Sequence, residues 1–223
     1  MFLSDNDLKS STDLVKITPF VDHCVRRDAE DRPVLSYGLG PAGYDVRLKP
    51  HWKFYSVPLY EPRKPDAGGP HITDLLTPNA LEAYRKTTGF IFDVPEVIDP
   101  RNFDEKKFLR EVESEEIIIW PGQYVLAVTL EHFELSNMVQ GTFFAKSSYA
   151  RFGLILNTTN VQPGFKGEVV IEFFNGGSHP ILVRANEGFA QIKFELAHTA
   201  AEVPYDQIGR YQGQTGVQTP LLT

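Results

Sequence analysis

Cysteine occurs once in the 223 residues, at Cys24, which leaves no intrachain disulfide and no cysteine-rich metal site. Zinc-dependent base deamination needs a Cys/Cys/His or similar ligand set, so a protein-bound zinc of that kind is not expected. The six histidines, at 23, 51, 71, 132, 179 and 198, show no metal-ligand spacing either. There is no excess of positive charge. The formal net charge of -7 and the pI near 5.4 argue against a nucleic-acid backbone as partner, although they leave room for a local cationic pocket. No apolar run is long enough to span a bilayer, and the start, MFLSDNDLKSSTDL, lacks a cationic region followed by an apolar one. No membrane partner is expected, and a cytoplasmic location is.

What remains is a globular composition of ordinary hydrophobicity. At this length, one mainly β domain over 1–223 is expected. Residues 4–15 suit a short helix, with Ser4 three residues ahead of Asp7 as its cap. From Glu116 onward, β-branched and aromatic runs are punctuated by Pro121-Gly122, Pro163-Gly164 and Gly176-Gly177. Short strands so closely spaced predict a sandwich, jelly roll or distorted barrel, with a few short helices. Residues 58–92, rich in Pro, Gly and charge with one helical stretch, read as a surface insertion. Gly38, Gly40 and Gly43 formally match G-x-G-x-x-G, but Pro41 interrupts the pattern and the alternating YDVRL follows. The match reads as a loop leading into a strand, not a dinucleotide turn.

Three places could carry chemistry. AKSSYAR sets Lys146, Ser147, Ser148 and Arg151 just after an apolar strand, a compact set of cations and hydroxyls suited to a polyphosphate. By composition alone it reads first as a solvated turn. In EVVIEFF, Glu172 lies within an apolar run on the face of Val170 and Phe174. A carboxylate desolvated there would have a raised pKa and could take and return a proton; the plainer reading is a glutamate on the wet side of an edge strand. The glycine-rich stretch 209–220 carries Arg210, Tyr211 and Gln214 and could fold over a ligand.

Six ordered blocks resemble the dCTP deaminase family, which shares its fold with the trimeric dUTP pyrophosphatases. They are SYG with GYDVRL (36–38, 43–48), VIDPRNFD (97–104), AKSSYARFGLI (145–155), PGFKGEVVIEFFN (163–175), ANEGFAQIKFE (185–195) and RYQGQTGV (210–217). The resemblance implies a distorted jelly-roll barrel assembled as a homotrimer with active sites shared between subunits. It also implies zinc-independent deamination of dCTP to dUTP and ammonia, in the supply of dUTP and dTTP. The catalytic glutamate of the family falls on Glu172, and its phosphate ligands fall on Ser147, Ser148 and Arg151, with Lys146 where many members carry arginine. Its closing tail falls on Arg210, Tyr211 and Gln214, and Tyr205 is a further phosphate candidate. Magnesium is expected to arrive on the triphosphate, with dTTP as a candidate inhibitor. Gln162 stands where many members place an acidic residue near the sugar, which disfavours pyrophosphate release. Thr158, Thr159 and Asn160 are candidates for reading the base. Open alternatives are a dUTP pyrophosphatase, an enzyme performing both steps, and a non-catalytic nucleotide-binding trimer.

Overall fold

In the segment Lys166–Asn175 the burial alternates: Ile171, Phe173 and Asn175 point into the core, while Val170, Glu172 and Phe174 occupy the other, half-buried face. This period of two is the organising pattern of the computed structural model, which describes residues 1–55 and 97–221. The expected insertion at 58–92 and its helix lie outside the described residues. The chain divides into two compact units, Met1–Tyr55 with Asp104–Thr223, and Ser56–Phe103. The described part of the second, 97–103, contains a turn in which Asp99 accepts from the Arg101 and Asn102 amides at 2.9 and 3.0 Å.

The first unit is mainly β. Its strands are β1 (Val15–Thr18), β2 (Cys24–Arg27), β3 (Pro33–Gly40), β4 (Gly43–Tyr55), β5 (Leu109–Glu113), β6 (Glu116–Ile119) and β7 (Tyr124–Leu135). They continue with β8 (Val139–Ala145), β9 (Leu154–Leu156), β10 (Asn160–Val161), β11 (Lys166–Asn175), β12 (Ile181–Arg184) and β13 (Gly188–Leu196). The helices α1 (Asp5–Ser10), α2 (Glu105–Phe108), α3 (Ser147–Ala150) and α4 (Tyr205–Ile208) are short. The main sheet runs β10–β8–β13–β4–β7–β11–β9, with β1 on β7, β3 and β5 on β4, and β2 on β3; β12 and β6 form a separate pair.

Long β4 ties two regions of the sheet together. Its first half pairs with β3 and β13, its second with β5 and β7, and its register against β7 shifts between Leu48 and Trp52. Pro50 lies in that interval, where the lack of an N–H does least harm to the ladder. A second register shift separates Glu168 from Val170 on β11. There the buried Thr129 hydroxyl accepts the Val169 amide at 2.9 Å and donates to the Glu131 carbonyl at 2.7 Å. The Val169 amide is thereby satisfied where the register shifts. The core gathers Trp52, Phe133, Phe143, Ile171, Phe173, Phe189, Ile192 and Phe194, all nearly or fully inaccessible. Buried Asn175 is satisfied on both ends: its amide donates to the Ile119 and His179 carbonyls, and its oxygen accepts from the Gly177 amide.

Two local expectations change. Ser4 and Asp7 do form a reciprocal capping box, but the helix stops at Ser10 because Val15 and Ile17 are needed as inward residues of β1. The glycine-rich stretch before YDVRL is a strand rather than a loop. It forms a hairpin in which Gly40 faces Gly43, and at Gly43 φ is +138° and an added Cβ would stand 2.4 Å from the Ile192 carbonyl oxygen. Glycine is there for close approach between strands, not for phosphate. Among the described residues, no helix is long and apolar enough to cross a membrane.

Candidate active site

Because β11 pairs with β7 on one side and β9 on the other, Glu172 is on an interior strand, not an edge. Its side chain opens into a cavity of about 370 Å³. The expected desolvation of the carboxylate is partial: Glu172 is half-buried, since the alternation of β11 gives the core to Ile171 and Phe173 and turns Glu172 to the cavity face. Two polar groups from the segment after β9 reach the same oxygen. Thr159 Oγ1 lies 3.3 Å and Asn157 Nδ2 3.4 Å from Oε2, long bonds that hold the carboxylate loosely.

On the other side stand two tyrosines that the sequence did not single out. The β4–β7 register sets Phe54 opposite Val125, which brings Tyr55 beside Tyr124, and Tyr124 is the direct partner of Phe174. The two phenol rings meet edge to face with centroids 5.7 Å apart, and both line the cavity. Burial, and then the nearby Glu172 charge, raise the pKa of both hydroxyls, so they remain protonated at neutral pH. The wall is therefore flat, aromatic and edged with neutral donors.

The cavity collects most of the expected residues. Thr159, Asn160, Gln162, Glu172, Tyr205, Tyr211 and Gln214 line it, together with Asn157, Gln218 and Thr219. Thr158 does not. Tyr205 opens α4, with its ring 5.7 Å from Phe165, and its hydroxyl accepts the Tyr211 amide at 3.3 Å. Gln214 Nε2 donates to the Glu168 carbonyl at 2.6 Å, and the Glu168 amide donates back to the Gln214 carbonyl at 3.0 Å. The stretch after Gly209 thus runs against β11 beside Glu172. Arg210 points elsewhere: it is exposed and donates to the Leu221 carbonyl at 3.3 Å.

The cationic turn is a separate feature of the chain. Lys146, Ser147, Ser148 and Arg151 are not among the residues lining the Glu172 cavity. Buried Tyr149 pegs the turn to the core, its ring 5.3 Å from Phe189 and its hydroxyl pKa pushed up to about 12 by burial. Ser147 and Arg151 are left exposed. Lys146 is largely buried in an ion pair with Asp45 of β4, whose other carboxylate oxygen accepts from Gln191 at 3.3 Å. No group of three or more His, Cys, Asp or Glu side chains converges to hold a metal among the described residues.

Residues 16–197 match the family model for dCTP deaminase-like proteins. The chain is 36% identical over 205 residues to a dCTP deaminase of Pseudomonas fluorescens (strain SBW25), across 92% of this chain and 89% of that protein. It is 37% identical, with the same coverage, to one from Pseudomonas aeruginosa (strain UCBPP-PA14), and 34% identical to one from Acinetobacter baylyi. Among solved structures it resembles 2'-deoxycytidine 5'-triphosphate deaminase from Agrobacterium tumefaciens, with a TM-score of 0.53 at 17% identity. That likeness covers 94% of this chain but only about half, 52%, of the other, and it speaks for the fold.

Proposed function

This chain belongs to the dCTP deaminase-like family, and we propose that it hydrolyses dCTP to dUTP and ammonia with Glu172 as the proton-transferring group. The observation that carries the reading is the position of Glu172, on the open face of an interior strand, within reach of Thr159 and beside an aromatic wall. Water adds to C4 of the cytosine ring as Glu172 takes one of its protons. The carboxyl passes that proton to N3, then takes the second proton from the C4 hydroxyl and delivers it to the departing amine, so that ammonia leaves and the carbonyl of uracil forms. Asn157 and Thr159 both approach Oε2, and Oε1 is assigned to the water. The rings of Tyr55 and Tyr124 offer a flat surface to the base.

The phosphate end is assigned to Lys146, Ser147, Ser148 and Arg151 of a neighbouring chain in a homotrimer. Two observations support this: the turn and the Glu172 cavity are distinct within one chain, and Phe152 and Ile155 beside the turn are 70% and 50% exposed. Tyr211 and Gln214 of the tail, with Tyr205, complete the enclosure, while Arg210 stands outside it on the Leu221 carbonyl. Magnesium is assigned to the triphosphate as it arrives, which suits a site built from cations and hydroxyls. Gln162 lines the cavity as a neutral amide, and so the reaction is assigned to stop at dUTP. A deoxynucleotide substrate assigns the enzyme to the cytoplasm, with dTTP as the inhibitor to test.

The test is incubation of the purified protein with dCTP and magnesium, followed by separation of dCTP, dUTP, dUMP and pyrophosphate, with Glu172→Gln in parallel. Accumulating dUTP that vanishes in the variant supports the deaminase. Release of dUMP and pyrophosphate would instead make the chain bifunctional, and unchanged dCTP that still binds would reduce it to a nucleotide-binding protein.

A further inference from the structure

Two lysines on one strand hold the tail by the same device. Lys49 and Lys53, both on β4, each pair with a glutamate through one oxygen, and the other oxygen of each glutamate takes a group from the tail. At the first station Lys49 Nζ lies 2.5 Å from Glu168 Oε1, while Glu168 Oε2 accepts the Gly216 amide at 2.9 Å. At the second, Lys53 Nζ lies 2.6 Å from Glu105 Oε1, and Glu105 Oε2 accepts the Thr219 hydroxyl at 2.9 Å. Lys53 also donates to the Val217 carbonyl at 2.8 Å. Lys53 is buried and Val217 between the stations is 4% exposed, so these bonds are shielded from water along part of their length. Charge-assisted bonds shielded in this way are stronger than surface pairs.

The stations matter because of what lies between and beside them. Gln214, Gln218 and Thr219 line the Glu172 cavity, and Tyr55, two residues after Lys53 on the same strand, lines it too. Lys53 and Glu105 also stand close to the two points where the first unit gives way in sequence to Ser56–Phe103. We infer that Lys53 and Glu105 are positioning residues that latch residues 214–219 over the Glu172 cavity and so set the affinity for nucleotide, without touching the reacting atoms. The inference rests on the deaminase reading for its kinetic consequence, but the latch itself is a property of the chain.

Glu105 is the residue to change, because its side chain is 39% exposed and a neutral isostere is accommodated there. In Glu105→Gln, amide hydrogen exchange over 214–219 should speed up by about tenfold, KM for dCTP should rise by about fivefold or more, and kcat should stay within about twofold. Glu105→Asp, which keeps the charge, should restore most of the protection and the KM. Thr219→Val removes the tail's side of the same station and should loosen exchange in the same way, which covers the case in which Glu105→Gln does not fold. Unchanged exchange in both variants would overturn the latch. So would faster exchange with an unaltered KM, or a fall in kcat at constant KM. Wild-type protein that fails to convert dCTP would sink the deaminase reading alone, because the exchange measurement needs no turnover.

Discussion

The Thr159 hydroxyl lies 3.3 Å from Oε2 of Glu172, from a segment that also carries the Asn157 amide to the same oxygen. A carboxylate held by neutral donors on one oxygen keeps the other for proton transfer, and losing the carboxylate is a different injury from losing its support. Glu172→Gln should leave dCTP binding near the wild-type value and lower kcat by about 10²–10⁴-fold. Thr159→Val should lower kcat by about tenfold or less, since a hydrogen bond to a carboxylate contributes about 1.5–3 kcal/mol and this one, at 3.3 Å, is long. Equilibrium binding alongside steady-state rates separates the two, and a Glu172→Gln variant with full turnover would remove Glu172 from the mechanism.

Lys146 is a tethered cation. Its ammonium pairs with Asp45, so it cannot follow a ligand as a free surface lysine would. Should Lys146 serve a phosphate, Lys146→Met should weaken dCTP binding by about tenfold while leaving dCMP binding nearly unchanged, because a charge-assisted contact is lost only where the outer phosphates lie. Asp45→Asn keeps the cation but frees it, and should cost less than Lys146→Met. Equal losses for dCTP and dCMP would make the pair structural.

How far the chain could be read in advance depended on whether each feature was local. The strands from Glu116 onward follow from alternating runs broken by Pro-Gly and Gly-Gly pairs, and the face shared by Val170, Glu172 and Phe174 follows from the period of two alone. The cap at Ser4 needs only its partner three residues on. In contrast, the neighbours of Glu172 depend on register. Tyr55 and Tyr124 are 69 residues apart and meet only because β4 pairs with β7 as it does, and nothing in either tyrosine's own surroundings marks it. The pairing of Lys146 with Asp45, 101 residues away, is hidden for the same reason. β3 is not legible from its sequence because its glycines read as a loop, although they serve a close strand contact.

Glu131 and Arg47 form a buried ion pair within the sheet, with the Glu131 side chain fully inaccessible and that of Arg47 12% exposed. The carboxylate accepts from the Arg47 amide at 2.9 Å and from Nε at 2.8 Å, while Nη2 has no hydrogen-bond partner among the described residues and the guanidinium lies 4.6 Å from the Tyr37 ring centroid. Burial raises the Glu131 pKa against the opposing pull of Arg47. Arg47→Met removes that pull and should destabilise the fold by about 3–5 kcal/mol at neutral pH, read by thermal or urea unfolding. A folded-state pKa above the unfolded one means the folded chain binds more protons. Stability of this variant should therefore recover as pH is lowered towards 4.5 and fall as it rises through the raised folded value. A variant insensitive to pH would show that Glu131 finds another partner.

Gly43 tests the hairpin that the glycine-rich stretch builds. With φ at +138° and the Ile192 carbonyl oxygen 2.4 Å from where a Cβ would sit, alanine meets both backbone strain and a rigid clash. The strain alone is of order 1–3 kcal/mol, and the clash adds to it because the obstructing atom belongs to β13 rather than to a flexible side chain. Gly43→Ala should therefore lower the unfolding midpoint and, because Asp45 lies two residues on in the same strand, loosen Lys146 as well. Gly40→Ala is the control: its added Cβ would come no nearer than 3.6 Å to the Gly43 carbonyl oxygen, an ordinary contact, and the cost should be much smaller. Equal losses at the two positions would mean that the hairpin turn needs flexibility at both ends rather than close approach at one.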